Sequence, residues 1–185
     1  MINLATALKS TYKTKKESEK TFNDYGYAFD KQLSNQSDRV YFNPYDNKLL
    51  ITYRGTTNLI NDIPADLSIL TGKYDAKRFT NAQKQYEAVK QKYYKTDDIT
   101  LAGHSLGGSI ASRVGHTDPN SKVITYNKGS GSLFEKKKDN ETHYREKGDL
   151  ISILNSSNSQ TLGNSYKNPL TAHNTDNLID QRIEI

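Results

Sequence analysis

The sequence predicts an α/β fold: a mostly parallel central sheet with helices on both faces. Three observations carry this. Short apolar runs alternate with stretches of helical period, the order that builds a parallel sheet. One run, Ile99–Ala102, passes through Gly103-His104-Ser105-Leu106-Gly107-Gly108 directly into a helix-like Ser109–Val114. The 185 residues contain no internal repeat and no linker, so a single domain spanning 1–185 is expected.

The elements follow in order. Ile2, Leu4, Ala5 and Leu8 sit on a short helix over residues 2–9. Residues 10–38 are polar, with Phe22, Tyr25 and Phe29 at helical spacing. Arg39–Asn43 and Lys48–Arg54 read as two strands joined by Asn43-Pro44-Tyr45-Asp46-Asn47, where Pro and the Asx residues supply turn geometry. Phe79, Ala82, Tyr86, Val89 and Tyr93 recur every three or four positions, an amphipathic helix of about four turns. The strand Ile99–Ala102 leads to a helix from Leu106 to Gly115, with Gly115 expected as its C-cap. Lys122–Tyr126 is the next strand. Thr142–Glu146 and Leu150–Leu154 flank Gly148-Asp149, residues 155–170 form a polar loop, and Ala172–Ile183 closes with a helix.

Composition narrows the partners. Only 34% of residues are apolar, yet strand and helix patterns are plain, so a compact domain with long polar loops fits better than disorder. The formal charge of +5 favours an anionic partner, an acidic lipid surface among them, although most lysines are scattered. No basic stripe interleaves with aromatics, so nucleic acid is not expected. The absence of cysteine excludes disulfides, thiolate catalysis and thiolate-bound zinc. No apolar run is long enough to span a bilayer. The opening MINLATALKSTYKTKK lacks a basic start and a long apolar core, so no signal peptide is expected. A soluble protein is expected, its location left open between the cytoplasm and release (virion-associated, for example) by another route. Composition gives no expectation for oligomeric state.

The chemistry starts at Gly103-His104-Ser105-Leu106-Gly107. This fits G-x-S-x-G, the nucleophile elbow of α/β-hydrolases. A strand turning abruptly into a helix forces the central residue into strain and presses its neighbours two positions away against strand and helix. A β-carbon at Gly103 or Gly107 would collide. Ser105 is thereby pushed out over the sheet end with an exposed side chain, and the first helical amides face a developing oxyanion.

A serine nucleophile needs a base, and the base an orienting acid, in the chain order nucleophile, acid, histidine. His104, beside Ser105, is expected to pack. His116 follows the helix end, where positive charge is favourable. His143 precedes the best acid candidate and breaks the order. His173, in LTAHNTDNLI, remains. Among the acids, Asp118 lies in an Asp-Pro turn and Asp139 in a lysine-rich loop, both expected to be solvated. Asp149, at a strand end after Gly148, is preferred. The amide of Leu106 is one expected oxyanion donor. The backbone of Thr56, after the strand ending in Arg54-Gly55, is the other.

Taken together these residues resemble the class 3 (fungal-type) triacylglycerol lipase family, within the α/β-hydrolases. The resemblance rests on Arg54-Gly55-Thr56 with Asp66-Leu67 downstream, Gly103-His104-Ser105-Leu106-Gly107-Gly108, Gly148-Asp149, and His173 with Asn177. It implies a triad of Ser105, Asp149 and His173, an oxyanion hole at Thr56 and Leu106, and no metal or cofactor. It also implies a lid over Asn58–Asp66, with Leu59, Ile60 and Ile63 as its apolar face; a short loop packed on the core is the alternative there. The chain departs from the family in being short, in lacking disulfides, and in having Arg78-Phe79 where Gly-Phe is usual. These departures bear on acyl length and leave the triad positions intact. The expected activity is serine carboxylester hydrolysis on lipid esters through an acyl-enzyme. The rivals are a phospholipase A-type activity on anionic membranes, a thioesterase or acyltransferase on the same triad, and an α/β-hydrolase-fold binding or structural protein whose serine is idle.

Overall fold

The computed structural model describes residues 2–56, 76–129, 136–163 and 168–185. Among the described residues seven strands form one sheet in sequence order: β1 (Ala28–Phe29), β2 (Asp38–Asn43), β3 (Lys48–Tyr53), β4 (Asp98–His104), β5 (Lys122–Tyr126), β6 (Glu141–Glu146) and β7 (Gln160–Leu162). The pairs β1–β2 and β2–β3 are antiparallel; every pair from β3 to β7 is parallel. The expected mostly parallel α/β sheet is therefore present.

The strand order dictates where the helices lie. Successive right-handed crossovers that always step the same way along a sheet place their helices on one face. Helix α3 (Ala76–Lys92) links β3 to β4, and α4 (Leu106–Gly115) links β4 to β5. Both pack on a core of Leu49, Ile51, Tyr53, Ile99, Leu101 and Val123, contributing Phe79, Ala82, Tyr86, Val89, Ile110 and Val114. Alternation sends Leu50 and Ala102 to the opposite face, where α1 (Leu4–Ser10) and α2 (Lys15–Asn23) cover them with Leu4, Leu8 and Phe22. Strands buried on both faces read as continuous apolar runs, which is why β3 and β4 were plain in the sequence.

The first two helices start at sequence-encoded caps. Asn3 Oδ1 accepts the Ala5 amide at 2.8 Å. Thr14 and Glu17 form a reciprocal capping box that opens α2.

Several elements differ from expectation. Of the three aromatics expected on one helix only Phe22 is on α2; Tyr25 lies in the turn after it and Phe29 on β1. Gly115 is the last helical residue of α4, and its C-cap is His116 at φ −66°. Glycine is there because a β-carbon would lie 2.2 Å from Val123 Cγ2. Leu150–Leu154 is not a strand; it leads into a 3-10 helix, Ile153–Asn158. The polar stretch after it holds the edge strand β7. The C-terminal helix is replaced by α5 (Pro169–Ala172) and a 3-10 turn, Thr175–Leu178. The chain then returns to its start: Glu184 bridges Asn3, Leu4 N–H donates to Ile183 O at 2.8 Å, and Ile185 N–H donates to Ile2 O at 2.9 Å. Among the described residues no helix is long and apolar enough to cross a membrane.

Candidate active site

Strand β4 ends at His104 and α4 begins at Leu106, so Ser105 alone makes the turn. Its backbone is at φ 57°, ψ −126°, a strained conformation for a residue with a β-carbon. The glycines around it are sterically required. A β-carbon on Gly103 would lie 2.2 Å from Gly107 O, and one on Gly107 would lie 2.1 Å from Tyr53 O. The elbow is thus wedged between its own helix and the end of β3.

Ser105 does not present an exposed side chain. It is 1% exposed, and Oγ has no hydrogen-bond partner. The backbone of Gly55 closes on it: a β-carbon there would be 2.8 Å from Ser105 Cβ. Thr56 follows immediately and is exposed. The amide of Leu106 is the first of α4, one of the N–H groups a helix leaves without an internal partner. Leu59, Ile60 and Ile63 lie outside the described residues.

The structure brings Asp149 and His173 together. His173 Nδ1 is 3.0 Å from Asp149 Oδ1, both side chains being buried. Gly148, at φ 96°, makes the turn that turns Asp149 inward. The Asp149 carboxylate also accepts the amides of Ile151 (3.2 Å) and Ser152 (3.0 Å), and Arg145 holds its main-chain oxygen at 3.1 Å. Burial by itself raises this carboxyl. The His173 hydrogen bond and charge, with the Ser152 and Ile151 contacts, outweigh it and hold the group below the usual carboxylate range. An ionised Asp149 accepts, so His173 Nδ1 carries a proton, and Nε2 is the nitrogen on the far side of the ring from the carboxylate. That Nε2 is buried and, like Ser105 Oγ, has no hydrogen-bond partner.

His104 is more than a packing residue. Its Nε2 lies 2.8 Å from the main-chain oxygen of His173, and its Nδ1 lies 2.7 Å from the hydroxyl of Tyr12. A carbonyl only accepts, so Nε2 carries the proton and Nδ1 accepts from Tyr12. The Tyr12 oxygen in turn accepts the Gly55 amide at 3.1 Å. Burial, and then the nearby His173, push the His104 imidazole down to about 3; burial pushes the Tyr12 phenol up to about 12. Tyr12 belongs to no motif and was not anticipated. The available signal was His104 itself, since a polar ring at the end of a buried strand requires a partner for each nitrogen.

The set-aside residues are occupied elsewhere. His143 is held by Thr125 Oγ1 at 2.8 Å and faces Glu141 at 3.6 Å. His116 Nε2 meets Glu141 Oε1 at 3.2 Å. Asp139 is exposed as expected. Asp118 is not a solvated turn carboxylate: it accepts the Tyr86 hydroxyl at 2.7 Å and pairs with Lys90 at 3.0 Å.

The loop carrying His173 is pinned from several sides. Asn127 Nδ2 donates to Ala172 O at 2.9 Å while its Oδ1 accepts the Glu146 amide at 2.8 Å. Asn177 Nδ2 donates to Thr171 O at 2.7 Å. Lys9 of α1 pairs with Asp176.

Known proteins share the fold. The family profile described as Mbeg1-like matches residues 11–157, a span that contains Ser105 and Asp149 and ends before His173. No curated protein matches significantly. The structure of a Rhizomucor miehei lipase propeptide complex is similar at TM-score 0.61 and 12% identity, over 87% of this chain and 67% of that one. A triacylglycerol lipase, described as having a catalytic centre formed by a serine protease triad, matches at TM-score 0.57 and 12% identity, over 87% of this chain and 78% of its own. The Lip2 lipase of Yarrowia lipolytica matches at TM-score 0.52 and 14% identity, over 80% and 72%. At these identities the likeness shows the fold alone, that of the α/β-hydrolases.

Proposed function

The chain belongs to the Mbeg1-like family, and from that premise and its hydrolase fold we propose that it is a serine carboxylester hydrolase acting on lipid esters. One observation carries the reading: a buried Asp149–His173 pair joined through Nδ1, which leaves Nε2 for a general base, on the same sheet end as a serine held in a strained elbow.

The residues then divide the work. His173 Nε2 takes the Ser105 proton as Oγ attacks the ester carbonyl. Leu106 N–H and Thr56 N–H receive the charge on the carbonyl oxygen. Asp149 keeps the imidazole oriented and balances the charge it acquires. His173 returns the proton to the departing alcohol. Water, deprotonated by the same nitrogen, then frees the fatty acid from Ser105. An ester must displace the groups that now cover Ser105, because Oγ is shielded from solvent.

Turnover of short and long acyl esters tests this. We expect hydrolysis in the wild type and a loss on the order of 10⁶-fold in Ser105→Ala. Folded wild type that cleaves no ester would leave the idle-serine alternative standing. The charge of +5 favours a second reading, phospholipase A-type cleavage at an anionic surface. Under that reading, hydrolysis of anionic vesicles weakens as salt is added. Salt-indifferent cleavage of neutral glycerides would count against it.

A further inference from the structure

The hydrogen bonds around His104 all run in one direction. Gly55 N–H donates to the Tyr12 oxygen (3.1 Å), the Tyr12 hydroxyl donates to His104 Nδ1 (2.7 Å), and His104 Nε2–H donates to His173 O (2.8 Å). Four segments distant in the chain meet in this line: the end of α1, the end of β3, the elbow strand β4 and the loop after α5. At one end is the backbone that precedes Thr56. At the other is the main chain of the proposed base. The rings follow the same path, with Tyr12 edge-on to His104 at 5.9 Å and His104 against His173 at 4.8 Å.

Resting on the hydrolase reading, we propose that Tyr12 is a positioning residue, whose hydroxyl couples the Gly55–Thr56 backbone to the His173 loop through His104 and so fixes the base relative to the oxyanion donors. The chemistry suits the task. A phenol accepts and donates at one oxygen, so a single atom joins an amide to an imine nitrogen. Each donation polarises the next, which strengthens a line of this kind beyond its separate bonds. His104, in the middle of the line, is 7% exposed, and Tyr12 is half-buried. Its position is close-packed as well, because a β-carbon on Gly55 would lie 2.9 Å from the Tyr12 oxygen. Tyr12 makes no hydrogen bond to the Ser105 oxygen or to His173 Nε2, neither of which has a hydrogen-bond partner, so it acts through other groups.

The test uses the full chain and a soluble ester, with kcat expressed per site labelled by a fluorophosphonate. Tyr12→Phe, which removes one oxygen, is expected to lower kcat about 10-fold with KM unchanged, the effect of losing one orienting hydrogen bond. His104→Gln keeps a donor for His173 O and should retain more kcat than His104→Phe. Adding Tyr12→Phe to His104→Phe should cost no more than His104→Phe alone. The proton on His173 Nδ1 gives a separate readout in the downfield NMR spectrum: it should shift or broaden in Tyr12→Phe. Kcat within twofold of wild type in folded Tyr12→Phe, or two losses that multiply in the double variant, would overturn the coupling. If wild type neither labels nor turns over, the hydrolase reading falls. The coupling is then decided by NMR alone, and an unmoved Nδ1 proton ends it.

Discussion

His104 shows how one residue links the site to the stability of the molecule. In the unfolded chain its imidazole takes a proton below about 6.5; in the fold it stays neutral down to about 3. Between those values the unfolded state binds the extra proton, so stability is full above about 6.5 and falls as pH drops. His143, also held below its ordinary value by burial, adds in the same direction. Glu141 acts lower down: burial raises it, but His143 and the Lys138 amide hold it at about 2, so its contribution is lost as pH falls from 4.5 toward that value. Denaturant unfolding near pH 7 and near pH 5, compared between wild type and His104→Gln, separates His104 from His143. His104→Gln should shrink the stability lost between those conditions by about 2 kcal/mol. An unchanged loss would mean that His104 is charged or solvated in the native state. The sequence shows this residue beside Ser105 but not its role, because its partners at 12 and 173 lie 92 and 69 positions away.

At the scale of elements, the elbow is a packing device before it is a chemical one. Gly107 is excluded from carrying a side chain by Tyr53 O at 2.1 Å, a rigid backbone atom at the end of β3. Gly107→Ala therefore has to lift α4 off the sheet, and a loss on the order of 3 kcal/mol in chemical unfolding is expected. A loss below about 0.5 kcal/mol would show that the helix is not seated as described. This part of the fold was legible. The strand–elbow–helix run over Ile99–Gly115 and strand β5 follow from local pattern, because β4 is buried on both faces and α4 shows one apolar side. The C-terminal third was not. The apolar residues between Ala172 and Ile183 invite a helix, yet Leu178 turns into the core and Ile183 returns to the backbone of Leu4. Strand β7 is three mostly polar residues on a sheet edge, where alternation has no room to appear. Tertiary contacts, not local preference, decide both segments.

At the scale of the whole molecule, the first and last segments brace one another and the loop of the proposed base. Asn3 and Leu4 hold the backbone at Gln181 and Ile183, Lys9 meets Asp176, and Tyr12 reaches the site through His104. The proposed acid, Asp149, follows from chain order and Gly148. The proposed base, His173, follows only by elimination, since nothing local in LTAHNTDNLI marks a base. Their 3.0 Å contact depends on β6, the Asp149 turn and the C-terminal return arriving together. The most direct measurement is the mapping of a fluorophosphonate adduct by peptide mass spectrometry. Ser105 should be phosphonylated in the wild type, and the reaction should be greatly slowed in His173→Ala. Modification at another residue, or an undiminished rate without the imidazole, would contradict the proposed triad.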